Sequence, residues 1–414
     1  MRTEPGRPTL ARLFKHVRVL SPWAVASILL LPLCAVGKDP APRPAVVART
    51  GLGDCEINAA SSSTSATVPD NSKGVGKGAC SILEARDQAL ELTPDQVSAL
   101  IARSSSEDID AECLLAVAYT RGIGVPHNDA EAIKWLTRAA NHGITWAQNA
   151  LAGIYRQGVG IPQDYSEAVK WYRTAAEEHY PAAADALGYM YLSGLGVSKD
   201  YASAAQWYST AAEQDYAPAQ NNLGQLYQHG MGVPKDYVIA VNLYRQAAQR
   251  GLASAQNNLG AMYEAGLGVG KNFAEAVKWY RAAAEQGEPV GQSNVAFMYA
   301  HGQGVSRDLQ ESARWYLRAA ESGYAPAQGK LGQLYATGQG VPLDFITAYA
   351  WYRKAANGGY EPARKAMSDL SRIMTSRQLQ AAQTKFLSHE HSRGQADAVI
   401  LEEKLPAQPW PQQK

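Results

Sequence analysis

One tyrosine recurs at a fixed interval of 36 residues through most of this 414-residue chain, and no insertion breaks the register. Each tyrosine is followed three residues later by a Gly-x-Gly and sixteen residues later by a tryptophan, which only Leu243 replaces. A constant period of this length is typical of a solenoid, in which each unit is one supersecondary structure that stacks on the next. The seven tyrosines are Tyr119, Tyr155, Tyr191, Tyr227, Tyr263, Tyr299 and Tyr335.

Each unit contains the pattern of two helices. Ala219, Leu223 and Tyr227 lie four residues apart and therefore share one face of a first helix. Gly-Met-Gly at 230–232 ends that helix, because glycine adopts the left-handed conformation of a helix C-terminus without a steric cost. An aspartate or asparagine then stands where a second helix needs an N-cap. These residues are Asn128, Asp164, Asp200, Asp236, Asn272, Asp308 and Asp344.

A helix pair of this size cannot bury its own apolar face, so neighbouring units must stack and share one continuous core. The sequence therefore predicts an all-α fold, a right-handed α-solenoid of about seven 36-residue helix-turn-helix repeats with helical caps. The repeated glycines, tryptophans and tyrosines are all needed by that architecture. We assign them to turns and core rather than to nucleotide or sugar binding.

The residues of one repeat form a longer pattern, LG-x-x-Y-x-x-G-x-GV-x-x-D followed by A-x-x-WY-x-x-AA-x-x-G. It is carried here by Leu223-Gly224, Tyr227, Gly230, Gly232-Val233, Asp236, Ala240, Tyr244 and Ala247-Ala248. This pattern resembles a known family, the Sel1-like repeats, which are relatives of tetratricopeptide repeats. The resemblance implies a scaffold for protein binding, with the first helices lining a concave groove as in tetratricopeptide-like proteins.

The flanks of the repeats differ from them in composition. Thr93 with Gln96, and Thr375 with Gln378, have the spacing of capping boxes and predict additional helices at each end. We expect a signal peptide at 1–37, a flexible linker at 38–80, N-terminal capping helices at 81–111, seven Sel1-like repeats at 112–363, C-terminal capping helices at 364–393 and a disordered tail at 394–414.

The amino terminus has the features of an export signal. A basic stretch precedes an apolar run over 23–33, and Ala35-Val36-Gly37 offers small residues for cleavage. The apolar run is shorter than the roughly 20 residues that span a bilayer. We therefore expect an exported protein, periplasmic or secreted. The alternative is a lipoprotein anchored at Cys34, although Leu33 precedes that cysteine where a small residue is usual.

Charge and cysteine content indicate no cofactor or nucleic acid. The chain has 39 basic and 38 acidic residues, so no field favours nucleic acid or an anionic membrane. Cys55 and Cys80 could pair in an oxidising compartment, and Cys113 falls on an apolar helical face. No metal ligands, nucleophile set or cofactor motif assembles, and we predict no catalytic, metal-binding or cofactor-binding residues and no enzymatic activity.

Amide side chains on the first helices form the candidate site. Asn222, Asn258 and Asn294 recur at intervals of 36 residues beside the core positions, and Gln220, Gln256 and Gln292 flank them. Carboxamides can hold an extended peptide through paired donor and acceptor groups. Polar residues beside a buried stripe are also ordinary on any amphipathic helix, and this structural interpretation stays open.

Two functions remain at the level of sequence. The first is an exported scaffold or regulator that binds another envelope protein through its concave groove. The second is a binder or hydrolase of cell-wall material or polysaccharide, since some cysteine-rich members of the family are linked to β-lactams. Those members carry a cysteine pair in each repeat, which this chain lacks after Cys113.

Overall fold

The computed structural model describes residues 92–105 and 107–391, with side chains up to residue 384. The described residues form 17 helices and no strands. In chain order these are α1 (Pro94–Ser104), α2 (Ile109–Arg121), α3 (Asp129–Asn141), α4 (Thr145–Gln157), α5 (Tyr165–Glu177), α6 (Pro181–Ser193), α7 (Tyr201–Ala212), α8 (Ala217–His229), α9 (Tyr237–Gln249), α10 (Ala253–Ala265), α11 (Phe273–Glu285), α12 (Pro289–His301), α13 (Leu309–Glu321), α14 (Ala325–Thr337), α15 (Phe345–Asn357), α16 (Glu361–Ser371) and α17 (Ser376–His391).

The helices from α2 to α15 form seven consecutive pairs. Each second helix packs against the first helix of its own pair and against the first helix of the next pair. The architecture is the all-α solenoid that the repeat predicts. The right-handed sense of the superhelix stays a prediction.

The turn inside each pair depends on two glycines in the left-handed region. Gly230 ends α8 at φ 70°, and its N–H donates to the Leu226 carbonyl across 2.8 Å. Gly232, at φ 69°, lies against the first residue of the preceding second helix, so closely that a Cβ atom there would overlap the Tyr201 carbonyl group. The same approach recurs for Gly196 on Tyr165, Gly268 on Tyr237, Gly304 on Phe273 and Gly340 on Leu309.

The predicted N-caps are confirmed. Asp236 Oδ1 accepts hydrogen bonds from the Val238 and Ile239 N–H groups at 2.8 and 3.0 Å. Its own N–H donates to the Tyr227 carbonyl at 2.9 Å, which ties the start of α9 to the end of α8. The same side-chain cap occurs at Asn128, Asp164, Asp200, Asn272, Asp308 and Asp344.

The core between the two helices of a pair consists of a tyrosine ring against a small residue. The Tyr244 ring is fully buried, and a Cβ atom on Gly224 would come within 2.8 Å of it. The tyrosine is buried in all the pairs that have it: Tyr172, Tyr208, Tyr244, Tyr280, Tyr316 and Tyr352. Of the repeated tryptophans, Trp135, Trp315 and Trp351 are buried and Trp171, Trp207 and Trp279 are half-buried.

Additional helices cover both ends of the stack. Helix α1 packs on α2, and α16 and α17 both pack on α15. Thr93 and Gln96 form the predicted capping box at the start of α1, and the Gln378 N–H donates to Thr375 Oγ1 at 3.3 Å at the start of α17. Cys113 is buried in α2, as predicted.

Several predictions lie outside the described residues. They are the signal peptide at 1–37, the alternative anchor at Cys34, the linker at 38–80, the pairing of Cys55 with Cys80 and the tail at 394–414. The range assigned to N-terminal capping helices is described only from residue 92, where it contains α1 and the start of α2. The C-terminal range contains the end of α16 and α17.

Substituting Gly232 by alanine tests whether the contact between turns maintains the stack. An L-residue in the left-handed region costs about 1 kcal/mol wherever it occurs, and Gly232→Ala adds an overlap with backbone of the preceding repeat. Gly251→Ala is the matched control, because Gly251 has φ 88° and a Cβ atom there would meet no other part of the fold within 4 Å. We expect Gly232→Ala to lower the midpoint of thermal unfolding clearly more than Gly251→Ala. Equal losses would contradict the role of the contact.

Candidate functional site: amide rows on the first helices

The six predicted amide residues all lie in the first or second turn of a first helix, on α8, α10 and α12. We refer to Gln220, Gln256 and Gln292 as the glutamine row and to Asn222, Asn258 and Asn294 as the asparagine row. The structure places each row along successive repeats and gives the two rows different hydrogen-bond partners.

The glutamine row bonds to the ends of the second helices. Gln220 Nε2 donates to the Ala212 carbonyl at 3.3 Å, Gln256 Nε2 to Ala248 at 3.2 Å and Gln292 Nε2 to Ala284 at 3.3 Å. These three side chains are at most 7% exposed. Carbonyls at the end of a helix have acceptor capacity that the helix does not use. Each glutamine adds a second hydrogen bond to one of them, since the Ala248 carbonyl, for example, also accepts from the Gly251 N–H at 3.0 Å. Gln148 and Gln328 make the same bond in two further repeats.

The asparagine row bonds across the boundary between repeats. Asn258 Nδ2 donates to Asn221 Oδ1 at 2.8 Å, and Asn294 Nδ2 donates to Asn257 Oδ1 at 2.8 Å. At the start of the row the acceptor is a carboxylate, because Asn222 Nδ2 donates to Asp185 Oδ1 at 2.9 Å. Each asparagine is therefore held by the first helix of the preceding repeat.

The acceptor residues of this ladder are functional candidates that sequence reasoning missed. Asn221 and Asn257 directly precede two members of the asparagine row and are also 36 residues apart. This interval could have identified them as candidates from the sequence. Their role could not be assigned from the pattern, because each bond joins residues 37 positions apart.

The two rows differ in what they can still offer a ligand. The glutamine side chains are buried, and so is Asn294, which is 6% exposed. Asn222 and Asn258 are half-buried, and within the described part of the chain their Oδ1 atoms accept no hydrogen bond. Since one N–H of each carboxamide is already bonded to the stack, the side chain is held in one orientation with an acceptor and a second donor left over.

The ladder ends at α14. There Gly329 and Lys330 occupy the positions that Asn257 and Asn258 hold in α10. Gly329 lies against the Tyr360 ring, and a Cβ atom there would come within 2.6 Å of Tyr360 Cε1. Helix α14 therefore has a lysine, Lys330, where the three preceding first helices have an asparagine, and the residue before it has no carboxamide.

A half-buried carboxyl group, that of Glu264, lies at the end of α10. Tyr280 Oη donates to Glu264 Oε2 at 2.6 Å. Burial raises the pKa of Glu264, and the hydrogen bond from Tyr280 and the charges of Lys271 and His301 partly offset that rise. In the preceding repeat the same bond is made by neutral groups, from Tyr244 Oη to Gln228 Oε1 at 2.6 Å.

Neither a metal centre nor a membrane span occurs in the described part of the chain. No group of three or more histidine, cysteine, aspartate or glutamate side chains is arranged to hold a metal ion there. Among the same residues, no helix combines the length and the apolar character that a bilayer crossing requires.

The family model for the Sel1 repeat matches residues 109–144, 147–180, 181–216, 217–252, 253–288, 289–324 and 325–360. The chain belongs to the Sel1 repeat family. The turns, the buried tyrosines and the N-caps described above are thus those of Sel1 repeats. Sel1-repeat proteins are protein-interaction scaffolds, and their fold is generally non-catalytic.

Solved structures of Sel1 repeat proteins are similar to this chain. A Sel1 repeat protein from Oxalobacter formigenes is 36% identical, covering 57% of this chain and 96% of that one, with a TM-score of 0.51. A protective antigen of uropathogenic Escherichia coli that displays an SLR fold is 26% identical, covering 76% of this chain and 91% of that one, with a TM-score of 0.42. No curated protein sequence matches the chain.

The hydrogen bonds from Tyr280 to Glu264 and from Tyr244 to Gln228 lead to two opposite predictions for thermal stability, one for replacing the glutamate by glutamine and one for the reverse. A raised pKa means that ionisation of Glu264 is less favourable in the folded protein than in the unfolded chain. The free energy of unfolding therefore falls as the pH rises through the pKa of Glu264 in the folded state. Below the pKa of this carboxyl group in the unfolded chain, Glu264 is protonated in both states and costs no stability. Glu264→Gln keeps an acceptor for Tyr280. We expect it to raise the melting temperature at pH 7 and to change it little near pH 3.

The reverse exchange in the preceding repeat is the matched control. Gln228→Glu places a carboxylate against buried Tyr244, and we expect a lower melting temperature at pH 7. Thermal unfolding followed by circular dichroism at both pH values measures the two effects. A Glu264→Gln variant that is less stable than the parent at pH 7 would show that ionised Glu264 stabilises the stack.

Proposed function

We propose that this chain is an exported scaffold that binds an extended segment of another envelope protein along the asparagine row. The observation that supports this most is the row itself. Carboxamides on three successive first helices are each held in place by the preceding repeat, and two of them, Asn222 and Asn258, are half-buried and keep polar atoms unused by the stack.

An extended polypeptide matches such a surface chemically. Its backbone repeats one donor and one acceptor per residue, and a carboxamide can bond to both. Because the asparagines are already oriented, binding would not have to immobilise them, which lowers the entropic cost of association. Both features favour a peptide segment over a small molecule as the ligand.

The aromatic side chains of the first helices give less support to a sugar ligand. The tyrosine that recurs on every first helix is engaged by the stack, as Tyr227 is by packing against the core. At another first-helix position, Tyr189 and Phe297 are equivalent, but Gln225 and Ala261 stand there in the two repeats between them. Stacking of a polysaccharide would need aromatic rings on successive repeats that are not already part of the core. The alternative of a cell-wall binder or hydrolase therefore has less support.

Export rests on the sequence of the amino terminus. We propose that the signal is cleaved after Gly37, which would place the protein in the periplasm or outside the cell. Intact mass measurement of protein recovered from the envelope fraction tests this proposal, and a mass that indicates a lipid on Cys34 would replace it with membrane anchoring.

Removing the asparagine row tests the binding surface. The variant Asn222→Ala, Asn258→Ala and Asn294→Ala loses both the proposed contacts and three hydrogen bonds between repeats, each worth about 1 kcal/mol. We expect it to remain folded, with a lower melting temperature, and to lose at least about tenfold in affinity for proteins captured from an envelope extract by the parent.

The control removes three exposed amides from the second helices α7 and α9, in the variant Gln206→Ala, Asn242→Ala and Gln246→Ala. We expect it to retain the captured partner. Isothermal titration with the identified partner gives the affinities, and circular dichroism shows that both variants are folded. Unchanged affinity in the asparagine variant would refute binding along this row.

A further inference from the structure

The asparagine row has a fourth position, which Lys330 occupies. It follows Asn294 by 36 residues, the same step that separates the three asparagines. Along the equivalent positions of the seven first helices from α2 to α14, no other side chain is basic. The row therefore changes from neutral amides to a cation at one end.

Lys330 has no polar partner among the side chains and backbone groups that the structure describes, which offer it neither a hydrogen bond nor an ion pair. The side chain is half-buried, and burial lowers the pKa of its ammonium group. An ammonium group withdrawn from water without a counter-charge is unfavourable, so an anion that arrives from outside would be stabilised there.

We infer that the segment bound along the asparagine row carries a carboxylate that forms an ion pair with Lys330. The inference rests on the proposed function, and it defines the partner as an extended acidic segment that binds in one direction. The carboxylate can belong to an aspartate or glutamate side chain or to the end of a chain.

Geometry sets the length of that segment. Packed helices lie about 8–10 Å apart, and an extended chain advances about 3.3 Å per residue. Successive first helices are separated by a second helix that packs on both, so one step along the row corresponds to at least about three peptide residues, and the distance from Asn222 to Lys330 to at least about nine. Since two steps separate Asn258 from Lys330, the carboxylate should lie at least about six residues beyond the residue that contacts Asn258.

A peptide library tests the inference without knowledge of the natural partner. Random twelve-residue peptides displayed with a free carboxyl terminus are selected on the full-length chain and on its Lys330→Gln variant. We expect the parent to enrich peptides with one acidic position or with an acidic terminus. Lys330→Gln should lose that enrichment and bind the selected peptides about tenfold more weakly. Lys365→Gln, which removes an exposed lysine from α16, is the matched control and should behave as the parent.

Synthetic forms of an enriched peptide distinguish the two sources of the carboxylate. Amidation of the carboxyl terminus weakens binding if the terminus contacts Lys330, and exchange of the acidic side chain for its amide weakens binding if the side chain does. In either case the loss should disappear in the Lys330→Gln background, because both changes remove the same ion pair.

The results also separate this inference from the proposed function. Peptides that bind the parent, lose affinity for the triple asparagine variant and show no acidic preference would overturn the role of Lys330 while supporting the row. Peptides that bind the triple asparagine variant as well as the parent would overturn both. Circular dichroism of each variant excludes loss of folding as the cause.

Discussion

The contact between one repeat's turn and the preceding repeat's second helix sets the spacing of the whole stack. Gly232 lies so close to the first residue of α7 that no side chain fits between them, and four other turns make the same approach. The glycine also has to adopt a left-handed φ that favours it over all other residues. Every other contact between repeats, including the bonds of the amide rows, requires helices that are held at this constant separation.

That separation explains why so many of the repeated residues are unavailable to a ligand. The tyrosines fill the space above a small residue, the glutamines bond to the ends of the second helices and the aspartates cap them. What is left is the outer part of the first helices, where Asn222 and Asn258 keep unused polar atoms. A scaffold of this kind derives its selectivity from the few positions at which one repeat differs from the next.

Two such differences change the charge of an otherwise repeated contact. Glu264 replaces Gln228 beneath a buried tyrosine hydroxyl, and Lys330 replaces an asparagine in the row. The overall composition does not reveal the effect of either substitution, because the chain has nearly equal numbers of basic and acidic residues, 39 and 38. A charge affects binding through its local burial and its local partners, and these differ from repeat to repeat.

The sequence by itself determined the fold, since a period of 36 residues with helix caps and turn glycines in register is compatible with one architecture. It also determined the N-caps, because these depend on residues close in the chain. It did not determine which aromatic residue of a repeat is fully buried: Tyr244 in the second helix is, whereas Tyr227, assigned to the core face with Ala219 and Leu223, is half-buried. Only the tertiary structure decided the roles of the amides. Asn258 meets Asn221, 37 residues away, and Gln220 meets a carbonyl of the preceding helix. Both rows have the same period, so periodicity alone cannot distinguish glutamines that bond to helix ends from asparagines that remain accessible to a ligand. The packing of one repeat on the next decides which side chains are buried.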